Sequence, residues 1–422
     1  MNRSFAEDVI GAVRSLEGMD CHIGIGGTSA LIRNGSLEAR VSPFGRVQFY
    51  STVTGTVILE ETDWLPANKT IYPKSRRYSS VGGELYQTTL RFIMGTDEHF
   101  YGLGQHRHGL LDQRGAVIDL VQGNGEVTIP FYVSSKRYGF IWNSPSIGRV
   151  ELAASQIRWI AEASRQIDYI VIGGDDYRRI METYADLTGH APVLPYWASG
   201  FWQSKLRYTT QEEVLSVARE YKRRNLPLSV VVIDYLHWQR MGEWNWDPDH
   251  WPDPARMTAE LKEMGIKVVV SVWPAVNPKA AAISEMKERN LLLRTKRGQN
   301  LLFPFADTRD PPPVFMYFYD ATNPEARGYL CDRLRESYLT AGIYNFWLDA
   351  CEPELDPADS DNLMFYLGDG MEVANAYPYL HQKGIYEFLG KEDPDGTVFL
   401  TRSVWLGSQK YGAALWSGDI ES

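Results

Sequence analysis

Leu228–Trp238 reads LSVVVIDYLHW, an unbroken Val/Ile-rich run that ends in an aspartate and then turns aromatic. The apolar part is far shorter than the roughly 20 residues a membrane helix needs. Its β-branched residues suit a strand. A carboxylate directly after a buried strand is costly to desolvate unless it is paired or opens on a solvated cleft. Asp234 is therefore either a cap or structural ion pair, or part of the wall of a pocket.

The same pattern recurs on either side. From Pro195 strand and helix alternate, with strands expected at Trp197–Gln203, Leu228–Asp234, Lys267–Trp273, Tyr344–Asp349, Val398–Arg402 and Ala413–Asp419. Helices are expected at Thr210–Arg224, Asp253–Met264, Asn323–Thr340 and Tyr377–Leu389. Repeated β-α units predict a parallel sheet with right-handed crossovers, either doubly wound or closed. No GxGxxG follows a strand, so a dinucleotide site lacks support. Chemistry-bearing residues end nearly every strand, which favours a (β/α)8 TIM-type barrel. The count reaches six strands, so the barrel is expected to be truncated after the sixth. The long connections near 279–340 and 355–397 read as insertions with structure or function of their own.

Before this region lie short alternating runs such as SLEARVSPF, LYQTTLRFIM and RQIDYIVIG, divided by Gly, Asn and Asp turns. They predict an N-terminal β-sandwich over 1–175. Asp175–Gly189 has helical periodicity and breaks at APVLP, giving a linker helix and turn over 176–194 before the barrel at 195–422.

Bulk properties narrow the function. A chain of 422 residues exceeds one ordinary core. The net charge of −10 argues against nucleic acid or an anionic membrane as partner and suits a neutral ligand. Aromatic content is 13%, in keeping with a sugar site, although most of those rings are expected to be core. Cys21, Cys331 and Cys351 form neither a disulfide framework nor a CxxC pair. The opening MNRSFAEDVIGAVRSLEGMD has acidic residues and no apolar segment, so it does not read as a signal peptide and a cytoplasmic location is the default. A homo-oligomer is compatible with all of this. No cofactor is expected.

Three strand ends carry carboxylates: Asp234, Asp349 in YNFWLD and Asp419 in AALWSGD. Any one alone is as readily an N-cap or an ion pair. Three at one level of a barrel would line one pocket. Paired carboxylates without a metal-ligand cluster point to glycoside hydrolysis. One ionised carboxylate attacks the anomeric carbon and a protonated one serves the leaving oxygen. No metal is expected. His106 and His108 form an HxH without an evident third ligand, and GEWNWDPDHWPDP (Gly242–Pro254) lacks calcium-loop spacing.

Taken together, FWLDACEPE (Phe346–Glu354), TRSVWLGSQKYG followed by WSGD, and GFWQSKLRY resemble glycoside hydrolase family 31. FYGLGQHRHGLLDQRG (Phe100–Gly115) and VTIPFYVSSKRYGFIWN (Val127–Asn143) resemble that family's N-terminal β-sandwich, and the likeness spans roughly 35–422. The resemblance implies a retaining α-glycoside hydrolase that removes a terminal sugar from oligosaccharides by double displacement. Asp349 then matches the nucleophile and Asp419 the acid/base. Asp234 matches an aspartate that hydrogen-bonds sugar hydroxyls, and Arg402 an arginine beside sugar and nucleophile. Trp273, Trp347 and Trp416 match walls of the −1 subsite, and Glu352 shapes the loop rather than reacting. A family histidine that binds sugar has no match up to Ser422. Bulky Tyr235, Leu236, His237 and Trp238 after Asp234 favour xylose over glucose, because they would close the space of a hydroxymethyl group. An α-glucosidase, or a non-catalytic carbohydrate-binding fragment, are the alternatives. Arg402 is expected to keep Asp349 ionised, and Trp416 to dry the surroundings of Asp419.

Overall fold

Alternation of apolar and polar residues builds antiparallel sheets in the first part of the chain, as period-2 patterning requires. The computed structural model describes residues 21–62, 74–153, 155–355, 360–390 and 396–419. The chain forms two units, one of 1–190 with 371–376 and 405–407, the other of 191–370 with 377–404 and 408–422.

In the first unit, five strands from His22–Ile25 to Val57–Glu60 pair in chain order. A second sheet orders Tyr169–Gly173, Tyr138–Trp142, Val127–Ser134 and Phe100–Gln105. A third orders Arg76–Gly82, Leu85–Ile93, Gln156–Ser164, Gly148–Leu152 and Val117–Leu120. All three feed one core, with Phe49 and Leu59 from the first, Tyr132, Phe140 and Trp142 from the second, and Phe92 and Trp159 from the third. Phe140 stacks on Trp159 at 5.1 Å between ring centroids, and Trp142 on Trp159 at 5.7 Å. This sandwich-like arrangement fits the expected β-sandwich. The helix read between the two β regions is Tyr177–Thr188, capped by Asp176, whose carboxylate accepts the Arg179 N–H at 2.8 Å.

One segment was not anticipated. Residues 371–376, inside the expected 355–397 insertion, are built into the first unit. The Met371 carbonyl accepts from the Ile147 N–H at 3.0 Å and the Ser146 hydroxyl at 2.9 Å. Asn375 Nδ2 donates to the carbonyls of Leu120 and Ser146 at 2.8 and 3.1 Å.

The second unit is organised by a six-stranded parallel sheet in chain order. Its strands are β1 (Trp202–Gln203), β2 (Val230–Ile233), β3 (Lys267–Val272), β4 (Asn345–Leu348), β5 (Phe399–Thr401) and β6 (Ala413–Leu415). β2 is buried along its whole length, which explains its unbroken Val/Ile composition. On one face Val230, Val232 and Val269 pack with Trp197, Trp202 and Trp347. β1 and β6 lie at the two edges.

Helices α1 (Gln211–Arg223), α2 (Pro254–Glu263), α3 (Pro324–Ser337) and α4 (Ala376–Leu389) fall where the periodicity placed them. Three begin on side-chain caps: Thr210 accepts from Glu213 N, Asp253 from Arg256 N and Asn323 from Glu325 N. Asp253 and Asn323 are each followed by a proline in the first turn.

Two expected strands shorten. Tyr196–Ser199 is a 3-10 turn, leaving only Trp202–Gln203 paired. β6 stops at Leu415, and Gly418 at φ +77 bends the chain before Asp419. The 279–340 connection holds strands Phe303–Phe305 and Val314–Phe318, which join Ala275–Val276 in a small antiparallel sheet.

Candidate active site

Parallel strands bring their C-terminal ends to one side. Asp234 follows β2, Trp273 follows β3, Asp349 follows β4, Arg402 follows β5, and Trp416 follows β6. Two of these ends share a local design. Asp349 Oδ1 accepts the N–H of Ala350 at 2.9 Å, and Asp234 Oδ1 accepts the N–H of Tyr235 at 2.7 Å. A left-handed residue follows each turn, Ala350 at φ +51 and Leu236 at φ +65. Such backbone in non-glycine residues persists where the surroundings impose it, and it concentrates at functional sites.

Asp349 is 6% exposed. Burial pushes its carboxyl up to about 7, against the pull of Arg402, while the charges of Glu352 and Asp234 push the same way as burial. Burial likewise lifts Asp234 to about 6, opposed by its bond from the Tyr235 N–H and aided by the charge of Asp419. The phenol of Tyr235 is raised by burial and then by Asp234, Asp349 and Asp419, so the three carboxylates all bear on one ring.

Arg402 corrects the electrostatic expectation. Its Nε and Nη2 form a two-pronged pair with Glu352 at 2.8 and 2.9 Å, and Nη2 also reaches Glu354 at 2.6 Å. Asp349 Oδ1 lies 3.6 Å from Nη1, an ion pair without a hydrogen bond. The guanidinium resists its own burial because Glu352, Asp349 and Glu354 surround it, and it is held above its usual range. The cation is thus shared among three carboxylates, and burial outweighs it at Asp349. The expectation for Asp419 also needs correcting. Asp419 is exposed, so a dry setting supplied by Trp416 is not found. Trp416 instead meets Trp347 edge to face at 5.2 Å.

Trp273 stands in an aromatic row, stacked on Tyr235 at 5.4 Å and touching Phe305 at 5.0 Å. The indole N–H groups of Trp273 and Trp347 are buried without a partner among the described residues. Phe305, Glu354 and Arg207 were not singled out from the sequence. Phe305 arrives from the small antiparallel sheet, and nothing in its local pattern marks it. Arg207 sits in the quoted GFWQSKLRY run, just past β1, and its charge acts on Asp234 and Tyr235. The β1–β2 register, Gln203 beside Val231, places their exits next to each other.

The side chains of the other motifs are engaged in bonds within the protein. His106 Nδ1 pairs with Glu126 at 2.7 Å and Nε2 with the Leu103 carbonyl at 2.9 Å, which occupies both nitrogens. In the GEWNWDPDHWPDP loop, Asp247 binds Arg309 at 2.7 Å and His250 at 3.0 Å. Among the described residues no group of three His, Cys, Asp or Glu side chains is placed to hold a metal. Nor is any helix among them long and apolar enough to cross a membrane.

Asp234 and Asp349 lie just beyond the C-terminal ends of parallel strands, where barrel enzymes carry their active sites. Residues 191–422 match the glycosyl hydrolases family 31 TIM-barrel domain. Over 405 residues the chain is 39% identical to an uncharacterised family 31 glucosidase of Pseudescherichia vulneris, covering 93% of this chain and 75% of that protein. It is 31% identical to α-xylosidase A of Aspergillus niger, covering 93% of this chain and 56% of the relative. The crystal structure of a family 31 α-xylosidase from a soil metagenome, complexed with xylose, superposes with a TM-score of 0.94 at 37% identity. That match covers 100% of this chain and 63% of the other. The chain belongs to glycoside hydrolase family 31.

Proposed function

We propose that this chain carries the reacting groups of a retaining α-glycosidase that releases a terminal α-linked xylose from an oligosaccharide. In this reading Asp349 attacks the anomeric carbon and Asp419 protonates the departing oxygen. Asp419 then takes the proton from the water that hydrolyses the glycosyl-enzyme. Asp234 and Arg402 hold the sugar and the nucleophile's surroundings, and Trp273, Trp347 and Trp416 wall the subsite. The observation that carries the reading is the burial of Asp349 at the end of β4, with Arg402 at 3.6 Å as its counter-charge. The neighbouring cation favours the ionised carboxylate that attack needs and offsets part of what burial costs it.

Xylose is favoured by the Tyr235–Trp273–Phe305 row, which supplies bulk on the side of Asp234. The xylose-bound relative supports the same choice. The family 31 glucosidase of Pseudescherichia vulneris favours the second reading, an α-glucosidase. The six-stranded sheet is read as part of an eight-stranded barrel, whose further strands would pair with β1 and β6. Aryl α-xyloside and aryl α-glucoside, compared as kcat/KM, separate the readings. The proposal expects the xyloside to be cleaved faster, and faster cleavage of the glucoside would reverse the preference.

A further inference from the structure

Asp234 is held from behind by a histidine. The chain leaves β2 through Asp234 and Tyr235 and turns at Leu236, whose φ of +65 is unusual for a branched side chain. His237, next along, is 1% exposed. Its Nδ1 lies 3.0 Å from the carbonyl oxygen of Asp234, and its Nε2 lies 2.7 Å from the hydroxyl of Tyr338. A carbonyl oxygen only accepts, so Nδ1 carries the proton and Nε2 accepts the Tyr338 hydroxyl. The rings of Trp238, Trp246 and Tyr338 enclose the imidazole at centroid distances of 4.6, 5.0 and 5.8 Å. Burial in that box pushes the imidazole down to about 4. The neutral ring with a fixed tautomer is the form present near neutral pH. The Asp247 N–H donates to the His237 carbonyl at 2.9 Å and ties the loop down from its other side.

The carboxylate follows from this. Asp234 Oδ1 accepts the N–H of Tyr235 at 2.7 Å, across the same peptide whose carbonyl His237 holds. We propose that His237, seated on Tyr338, is a positioning residue that fixes the Asp234 carboxylate for the hydroxyls of the bound sugar. This rests on the reading of Asp234 as a sugar contact. The brace touches no substrate and acts only through the Asp234 peptide. Strain at Leu236 is thereby held in place to aim one side chain.

The test compares H237F, H237N, Y338F and D234A with the parent, using an aryl α-xyloside and reading KM separately from kcat. H237F keeps the ring and removes the donor, leaving the Asp234 carbonyl unpaired. H237N keeps an amide donor near the position of Nδ1. The expected result is a KM raised about tenfold in H237F, in the direction of D234A, a smaller rise in Y338F, and a KM within about twofold of the parent in H237N. A partly unfolded preparation lowers the apparent kcat and leaves KM unmoved, so a merely structural histidine gives no KM shift. If D234A raises KM and H237F does not, the brace is overturned while Asp234 keeps its role. If D234A itself leaves KM unmoved, the sugar contact fails and the brace fails with it.

Discussion

Asp349 and Arg402 show how the site differs from a simple ion pair. The guanidinium commits its fork to Glu352 and a further bond to Glu354, and it meets Asp349 at 3.6 Å without a hydrogen bond. Burial then sets the balance, and the Asp349 carboxyl stands at about 7. An attacking carboxylate must be ionised, so kcat/KM is expected to rise with pH on an acid limb near pH 7. Glu352 raises that value through its charge, so E352Q should move the acid limb to lower pH. A pH profile of kcat/KM for both proteins checks this, and an unmoved limb in E352Q would assign it to another group. The positions of Asp234 and Asp349 directly after buried strands were legible because each closes an apolar run, whereas Asp419 lies past the bend that follows β6. The sharing of Arg402 was not legible, since Glu352 and Glu354 sit in the same short motif as Asp349 and nothing local says which of them takes the fork.

At the scale of elements, buried parallel strands leave the plainest trace. β2 and β3 are nearly continuous apolar runs because both faces are covered, and each stops at the residue that turns into the site. The expected helix starts are found as well, since Thr210, Asp253 and Asn323 are the residues whose side chains cap α1, α2 and α3. The small sheet in the 279–340 connection was harder to see, because its strands are short and pair across a long separation. That sheet nonetheless brings Phe305 to Trp273 and so backs the aromatic row. Removing Phe305 frees the Trp273 ring and opens the wall. F305A is expected to lower the preference for α-xyloside over α-glucoside by about tenfold, in line with the discrimination one added carbon commands. The ratio of the two kcat/KM values measures it, and an unchanged ratio would place the discrimination elsewhere.

Across the whole molecule, the change from antiparallel to parallel patterning marks the passage from the first unit to the second. Period-2 alternation gives way to strand–helix repeats, and the sequence shows it. The return of 371–376 to the first unit is invisible to periodicity, since it depends on single hydrogen bonds from Ile147, Ser146 and Asn375. The proposed site belongs to the second unit, where the charges of residues far apart in sequence, from Arg207 to Asp419, act on Asp234 and Tyr235. All of the proposed chemistry turns on which carboxylate becomes covalently attached to the sugar. The protein is treated with a fluorinated α-xylosyl fluoride, digested, and its labelled peptide sequenced. A label on Asp349 is the predicted result, and a label on Asp234, Asp419 or any other residue would contradict the account.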